Sequence, residues 1–139
     1  MNKYFLILLI SLNSNCQNLV EKITFQSANP FSFHDVITDL KNQEKQEVYG
    51  NLVLPYDSLN PNKKYPLIIG VAGSLGWKNH HYEYLTMYQN LGIATFELNS
   101  FKSRRIESTV GDQTQVTTAA MILDAYNALE ILSDHPNIL

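Results

Sequence analysis

A short turn after the most apolar segment of the chain carries the residues best suited to chemistry. Residues 72–77 read Ala-Gly-Ser-Leu-Gly-Trp and close an apolar run that starts at Tyr65. Small residues in such a turn let backbone N–H groups point at a carbonyl oxygen on which charge develops, so Ser74 and Leu75 are candidate oxyanion donors. A plain tight turn, in which glycine only supplies a positive φ, is the alternative.

The same turn suggests two further kinds of site. Ala72-x-Ser74-x-Gly76 is a relaxed form of the G-x-S-x-G nucleophile elbow, but the elbow opens a helix directly after the serine, and here Trp-Lys-Asn intervenes. Gly70, Gly73 and Gly76 do not have the G-x-G-x-x-G spacing of a dinucleotide site. The pattern argues against both sites and leaves the oxyanion turn and the plain turn open.

Two arginines follow in a polar loop, Asn99 to Gly111. If Arg104 and Arg105 face the site, they can bind a substrate carboxylate through paired hydrogen bonds. A solvated loop is the alternative. Both loops would leave the carboxyl ends of strands, which is where open parallel sheets form their sites.

No cofactor is expected. Adjacent His80 and His81 point to different faces of a helix and, with Glu83, lack a third metal ligand. Cys16 is the only cysteine, so neither a disulfide within the chain nor an all-cysteine metal site can form. The net charge of −3 gives no reason to expect nucleic acid or an anionic membrane surface as a partner, and a small molecule is the expected ligand.

The elements that must position these loops alternate between strand and helix. Strands are expected at residues 19–27, 47–54, 67–71 and 93–98, and helices at 79–91 and 112–133. The continuous apolar run at 67–71 is typical of a strand buried on both faces. Asp112 and Gln115 predict a capping box for the last helix. The alternation predicts an α/β fold with a mostly parallel sheet and helices on its faces.

The strands expected here cannot cover the whole apolar face of the last helix. We therefore expect an open sheet edge, with apolar side chains such as Ile131, Leu132 or Leu139 left partly exposed.

Residues 47–139 resemble the dienelactone hydrolase-like branch of the α/β-hydrolases. The matching stretches are YPLIIGVAGSLGW at 65–77, LGIATFELNSF at 91–101, STVGDQTQV at 108–116 and MILDAYNALEILSDHP at 121–136. The resemblance implies an α/β-hydrolase-like fold that is truncated before the nucleophile elbow.

The resemblance also implies roles for the first turn. The family turn usually reads His-Gly-Ser-Gly-Gly, so Gly73 and Ser74 match the glycine and the residue after it, which gives a backbone N–H to the oxyanion hole. Ala72 stands where the family has histidine, and Leu75 stands at the fourth position. The family's nucleophile, acid and histidine would follow Pro136, so no triad residue has a position here.

The resemblance thus implies a fragment of an exported serine- or cysteine-type hydrolase. It would act on ester, lactone or related carbonyl substrates through an acyl-enzyme, and this chain alone would be inactive. A noncatalytic secreted or lipid-anchored binding module on the same fold is the alternative.

The N-terminus has the character of an export signal. Lys3 precedes an apolar run, Tyr4 to Leu12, that is too short to span a bilayer. Cys16 follows and is a candidate lipid anchor, with plain cleavage as the alternative. The expected organisation is a signal peptide at 1–16, a strand and loop region at 17–46 and half a hydrolase domain at 47–139, in a periplasmic or extracellular protein.

Overall fold

The computed structural model describes residues 19–55, 57 and 60–139. The predicted signal peptide at 1–16, with Cys16, lies outside these residues. Four strands form a sheet in the order β1-β2-β4-β3, and four helices accompany them. The strands are β1 Leu19–Ala28, β2 Lys45–Leu54, β3 Leu67–Val71 and β4 Ala94–Leu98. The helices are α1 Phe33–Thr38, α2 Asn79–Asn90, α3 Ser100–Ser103 and α4 Thr118–Ser133, with a short 3-10 helix at Leu40–Asn42.

The prediction of a mostly parallel, α/β-hydrolase-like sheet is wrong, because the described sheet is small and mixed. β1 pairs antiparallel with β2, β2 pairs antiparallel with β4, and only β3 and β4 are parallel. The apolar run at 67–71 correctly indicated a strand, β3, but its predicted burial on both faces is wrong, because β3 lies at the edge of the described sheet and Val71 is 42% exposed. The run also carried no information about the two strands before it. Burial alternates along β2, a pattern typical of antiparallel strands with one covered face.

The core lies between the sheet and α4. Val48, Leu52 and Phe96 are fully buried in the sheet, and Ala128 and Leu132 bury the inner face of α4 against them. β2 carries a glycine where the ring of Phe96 crosses it: a Cβ at Gly50 would lie 2.2 Å from Phe96 Cζ. This close approach brings β4, which leads into the second polar loop, firmly against β2.

The capping box predicted at Asp112 is not the start of the last helix. α4 begins at Thr118, and the cap is Thr117, whose Oγ1 accepts a hydrogen bond from Ala120 N at 3.1 Å. The same hydroxyl donates to the carbonyl of Pro30 at 2.6 Å. A cap that also joins α4 to the segment after β1 explains why this threonine, and not the local box, sets the helix start.

Apolar surface remains exposed, as the sequence predicted. β3 is an edge strand of the described sheet, and Ile131 and Leu139 are 41% and 77% exposed. The predicted exposure of Leu132 is wrong, because this side chain is fully buried in the core. Ile122 and Leu129 on α4 are exposed as well. Among the described residues, no helix combines the length and the apolar character needed to cross a membrane.

Candidate functional site

A cavity of about 410 Å³ lies where the parallel strands β3 and β4 end. Its volume is in the range of small-molecule sites, and its wall is mainly apolar. The carboxyl ends of parallel neighbours meet at one edge of a sheet, so the loops after β3 and β4 both reach it. These loops supply residues 72, 75–78, 99–102, 106 and 107, and Met121 of α4 closes the cavity.

The loop after β3 begins with a tight turn. The carbonyl of Gly73 accepts a hydrogen bond from Gly76 N at 2.8 Å, which closes a β-turn over residues 73–76. Gly76 has a φ of +72°, and a Cβ there would lie 2.7 Å from the carbonyl oxygen of Glu107. Both the backbone conformation and the close approach therefore require glycine at this position.

The second loop holds this turn in place. The carbonyl of Ser74 accepts hydrogen bonds from Thr109 N at 2.8 Å and from Ser108 Oγ at 2.9 Å. Thr109 is buried, which protects the first of these bonds from water. Residues Ser108 and Thr109 thus fix the orientation of the peptide group that joins Ser74 to Leu75.

The two predicted donors are unpaired among the described residues, and only Leu75 belongs to the cavity wall. The backbone N–H groups of Ser74 and Leu75 donate to no acceptor among the described residues. Leu75 lines the cavity and is 58% exposed, and Ser74 precedes it in the same turn. Free donors in a clamped turn are what an oxyanion site requires.

Trp77 forms one wall of the cavity. Its Nε1 donates to the carbonyl of Leu98 at 2.9 Å, which ties the first loop to the end of β4. Its ring packs against His81 and Tyr82 of α2, with ring centroids 5.4 and 5.5 Å apart. Gly70 of β3 makes room for it, since a Cβ there would lie 2.8 Å from Trp77 Cη2. The indole is therefore held on three sides.

Two polar residues of the cavity were not predicted from the sequence. Asn99 and Ser100 are 2% and 4% exposed, and they line the cavity directly after β4. Neither Asn99 Oδ1 nor Ser100 Oγ has a hydrogen-bond partner among the described residues. Their position at the carboxyl end of a strand was the signal that could have identified them.

Arg104, a predicted carboxylate ligand, lies in a buried ion pair behind the cavity. Its Nη1 and Nη2 donate to the two carboxylate oxygens of Asp124 at 2.7 and 3.1 Å. Its remaining N–H groups donate to Asn29 Oδ1 and to the carbonyls of Ser100 and Ala28. These five bonds use all five guanidinium hydrogens. In this geometry Arg104 joins β1, α4 and the second loop.

Arg105, the other predicted carboxylate ligand, is exposed and is not part of the cavity wall. Its φ of 60° is positive, and it is the only non-glycine residue with a positive φ among those described. This conformation ends α3 and turns the chain toward Glu107. A role for Arg105 toward a substrate stays a prediction.

A second polar cluster flanks the cavity at Glu97 of β4. Its carboxylate accepts hydrogen bonds from Asn51 Nδ2 at 3.1 Å and from the Tyr82 hydroxyl at 3.2 Å, and Lys102 Nζ lies 3.9 Å away. Burial raises the pKa of Tyr82, and the negative charge of Glu97 raises it further. The cluster therefore holds Lys102, which lines the cavity, close to the carboxylate of Glu97.

No histidine lines the cavity within the described part of the chain. His81 Nδ1 accepts a hydrogen bond from Lys78 N at 2.9 Å, and His135 Nε2 lies 3.3 Å from Glu21 Oε2. The described residues also hold no group of three side chains suited to a metal ion.

No model of a known protein family matches this chain, and no curated protein matches its sequence.

Proposed function

We propose that this chain forms the carbonyl-binding side of a serine- or cysteine-type hydrolase, of the dienelactone hydrolase-like kind, that acts on ester, lactone or related carbonyl substrates. One observation supports the proposal above all others. A clamped turn presents two unused backbone donors, Ser74 N–H and Leu75 N–H, beside a largely apolar cavity.

In this proposal the substrate's carbonyl oxygen accepts hydrogen bonds from the turn. Negative charge grows on that oxygen as a nucleophile attacks the carbonyl carbon, and donors that already point at it stabilise the transition state without reorganising. The bonds from Thr109 and Ser108 to the Ser74 carbonyl supply the rigidity that this requires.

The nucleophile of the proposed reaction lies outside the described residues. An acyl-transfer nucleophile needs a base, usually histidine, within hydrogen-bond reach. Among the described residues, no serine hydroxyl bonds to a histidine, and the cavity wall contains none. Ser74 therefore contributes its N–H, and its hydroxyl takes no part in the chemistry.

A noncatalytic binding module is the second candidate, favoured by the same absence of histidine from the described cavity wall. The two candidates differ in what they require of the turn. A hydrolase needs the N–H groups of Ser74 and Leu75, whereas a module that binds through apolar contact does not.

Proline at position 74 separates these candidates. Ser74 is the second residue of the β-turn, where proline fits a type I turn and removes the N–H together with the hydroxyl. Leu75 has no positive φ, which excludes a type II turn. Ser74→Ala is the matched control, since it removes the hydroxyl and keeps the N–H.

Trp77 provides the readout because it is the only tryptophan and lines the cavity. We expect γ-butyrolactone to change the fluorescence of the full chain on binding. Ser74→Pro should weaken this binding at least about tenfold, the effect of losing roughly 1.4 kcal/mol. Ser74→Ala should leave it unchanged. Equal affinities for all three proteins would overturn the carbonyl-binding role and leave the binding module.

An esterase assay tests the position of the nucleophile. We expect the chain to hydrolyse activated esters no faster than background. Turnover that Ser74→Ala abolishes would instead identify the turn as a nucleophile elbow.

We also propose that the protein is exported and loses residues 1–16, on the strength of Lys3 and the apolar run after it. Mass spectrometry of the mature N-terminus tests this: an intact Met1 would contradict export, and a diacylated Cys16 would replace simple cleavage by anchoring.

A further inference from the structure

The peptide group that joins Ser74 to Leu75 presents a donor in only one of its two orientations. A trans peptide directs its C=O and its N–H to opposite sides. The Ser74 carbonyl points at Thr109 N and Ser108 Oγ, which donate to it at 2.8 and 2.9 Å. The Leu75 N–H therefore points away from these two residues, neither of which belongs to the cavity wall that Leu75 lines.

Rotating this peptide group to face the other way would convert the turn over residues 73–76 from type I to type II. The Leu75 N–H would then exchange places with the Ser74 carbonyl oxygen, which repels the carbonyl oxygen of a ligand. The φ of the third turn residue is about −90° in type I and about +80° in type II. Leu75 is that third residue and has no positive φ, so the turn is in the orientation that presents the donor.

Two features of the chain oppose this rotation. The first is the pair of hydrogen bonds to the Ser74 carbonyl, which the rotation would break. The second is the Cβ of Leu75, because a β-carbon makes a positive φ unfavourable, whereas glycine adopts it readily. The leucine at this position thus does more than supply apolar wall.

We propose that Leu75 and Ser108 are positioning residues that hold the turn in its donor orientation, Leu75 through its Cβ and Ser108 through its hydroxyl. This inference rests on the proposed function, which assigns the Leu75 N–H to the substrate's carbonyl oxygen. It adds a rule of specificity. The turn as it stands selects ligands that accept a hydrogen bond, and the rotated turn would select ligands that donate one.

Two cyclic probes of similar size distinguish the two orientations. γ-Butyrolactone only accepts hydrogen bonds, whereas cyclopentanol both donates and accepts. Both are small enough for a cavity of about 410 Å³, and Trp77 fluorescence of the full chain reports their binding. A rotated peptide group should weaken the binding of the lactone and leave that of the alcohol unchanged. General damage to the cavity would weaken both.

The decisive comparison uses two double variants that both carry Ser108→Ala. Leu75→Ala and Leu75→Gly shorten the same side chain, and only Leu75→Gly also removes the Cβ. With Ser108→Ala present, Leu75→Gly should bind γ-butyrolactone at least about threefold more weakly than Leu75→Ala does, the effect of a rotated turn in about two thirds of the molecules. The two double variants should bind cyclopentanol equally.

Ser108→Thr is the matched control, because it keeps the hydroxyl that donates to the Ser74 carbonyl. In place of Ser108→Ala, it should restore most of the lactone affinity to the chain with Leu75→Gly. A structural effect of glycine alone would not be rescued in this way.

Hydrogen exchange of the Thr109 amide gives a second readout that needs no ligand. Its N–H is bonded to the Ser74 carbonyl, and the rotation would release it. It should exchange faster in Leu75→Gly than in Leu75→Ala, both with and without Ser108→Ala. Leu75 and Ser108 are exposed, so the fold should tolerate these changes. If a double variant still fails to fold, the two single variants decide by this exchange rate, and equal rates would overturn the proposal.

The possible outcomes separate this inference from the function on which it rests. Equal lactone affinities in the two double variants would overturn the positioning role, while weaker binding by Ser74→Pro would still support the carbonyl site. Parallel loss of lactone and alcohol would also overturn it, because the Cβ would then shape the cavity and not orient the peptide group. No binding of γ-butyrolactone to the native chain would overturn both proposals.

Discussion

Two buried polar regions meet at Ser100 and differ in how well their hydrogen bonds are satisfied. On one side, its carbonyl belongs to the network in which Arg104 uses all five hydrogens and Asp124 also accepts from Ser27 Oγ. On the other side, its hydroxyl and Asn99 Oδ1 are buried and have no hydrogen-bond partner among the described residues. One residue thus separates a completed network from an incomplete one.

This difference separates groups that hold the fold from groups that can bind a ligand. Arg104 has the chemistry to bind a carboxylate, but the protein's own carboxylate, Asp124, already occupies it. The N–H groups of Ser74 and Leu75 are uncharged, weaker hydrogen-bond donors, and they donate to no acceptor among the described residues. For buried polar groups, whether the group already has a hydrogen-bond partner identifies a binding site better than the type of residue does.

The largest expected effect comes from breaking the completed network. Asp124→Ala would leave the Arg104 guanidinium buried without its counter-ion, because the two side chains are 0% and 6% exposed. Removing one partner of such a pair costs about 3–5 kcal/mol. Urea denaturation should show this loss in the free energy of unfolding.

Lys102→Ala is the control for Asp124→Ala. It removes an ion pair whose lysine side chain is 55% exposed and whose charges lie 3.9 Å apart. Exposed pairs contribute at most about 1 kcal/mol. Equal losses for the two variants would mean that the Arg104 network does not hold the fold.

The next effect concerns the turn that borders the cavity. Gly76 and Gly92 have nearly the same φ, +72° and +77°, so alanine strains the backbone equally at both. Only at Gly76 does the new Cβ also meet a carbonyl, that of Glu107, at 2.7 Å. Gly76→Ala should therefore cost about 1–3 kcal/mol more than Gly92→Ala. Urea denaturation of both variants measures the difference.

The same pair of variants tests whether the shape of the turn affects ligand affinity. Gly76→Ala should weaken the binding of γ-butyrolactone, whereas Gly92→Ala, which lies outside the cavity wall, should not. An unchanged affinity in Gly76→Ala would show that binding does not depend on the shape of this turn.

The sequence predicted the local elements better than their pairing. The apolar run at 67–71 and the helical spacing after it correctly located β3 and α2, because burial on known faces leaves a periodic pattern. Strand direction depends on contacts between distant segments, which no local period records. The pairing of β1 with β2 was therefore missed, and the mostly parallel sheet was a wrong generalisation from one pair.

The candidate site was predicted in position and only partly in composition. Glycine and small residues made the 73–76 turn visible in the sequence, and the cavity does lie at the ends of β3 and β4. Asn99 and Ser100 have ordinary side chains, and their importance depends on being buried without partners. The partner of Arg104 was not identified for the same reason, since an aspartate on an amphipathic helix is usually solvated, whereas Asp124 is fully buried.

A smaller change in the free energy of unfolding is expected when one serine from each region is replaced by alanine. Ser27 and Ser100 are both buried, but Ser27 Oγ donates to Asp124 whereas Ser100 Oγ bonds to no described atom. Ser27→Ala should cost about 1.5–3 kcal/mol, the range for a hydrogen bond to a charged group. Ser100→Ala should leave the free energy of unfolding unchanged or raise it by up to about 1 kcal/mol, because it removes an unsatisfied buried hydroxyl.

Thermal and urea unfolding of the ligand-free variants decide this comparison. A loss of stability in Ser100→Ala as large as that in Ser27→Ala would show that its hydroxyl is already satisfied. The two regions would then no longer differ in how completely their polar groups are hydrogen-bonded.

The smallest effect lies at the Glu97 cluster, beside the cavity. Burial is the first cause that raises the pKa of Tyr82, and the charge and hydrogen bond of Glu97 follow. Glu97→Gln should therefore lower the pKa of Tyr82 toward the ordinary tyrosine value near about 10 without reaching it, since burial remains. Ultraviolet titration measures this, and Tyr82→Phe identifies the transition among the other tyrosines.

The raised pKa of Tyr82 also has a consequence for stability with a defined sign. The folded state holds the phenol proton more tightly than the unfolded state, so this contribution to stability is complete below the unfolded pKa. It is lost as the pH rises through the higher folded pKa. Stability of the native protein should thus fall more steeply at alkaline pH than that of Tyr82→Phe, with Glu97→Gln between them. Parallel curves for all three proteins would mean that neither burial nor the charge of Glu97 retains the Tyr82 proton in the folded state.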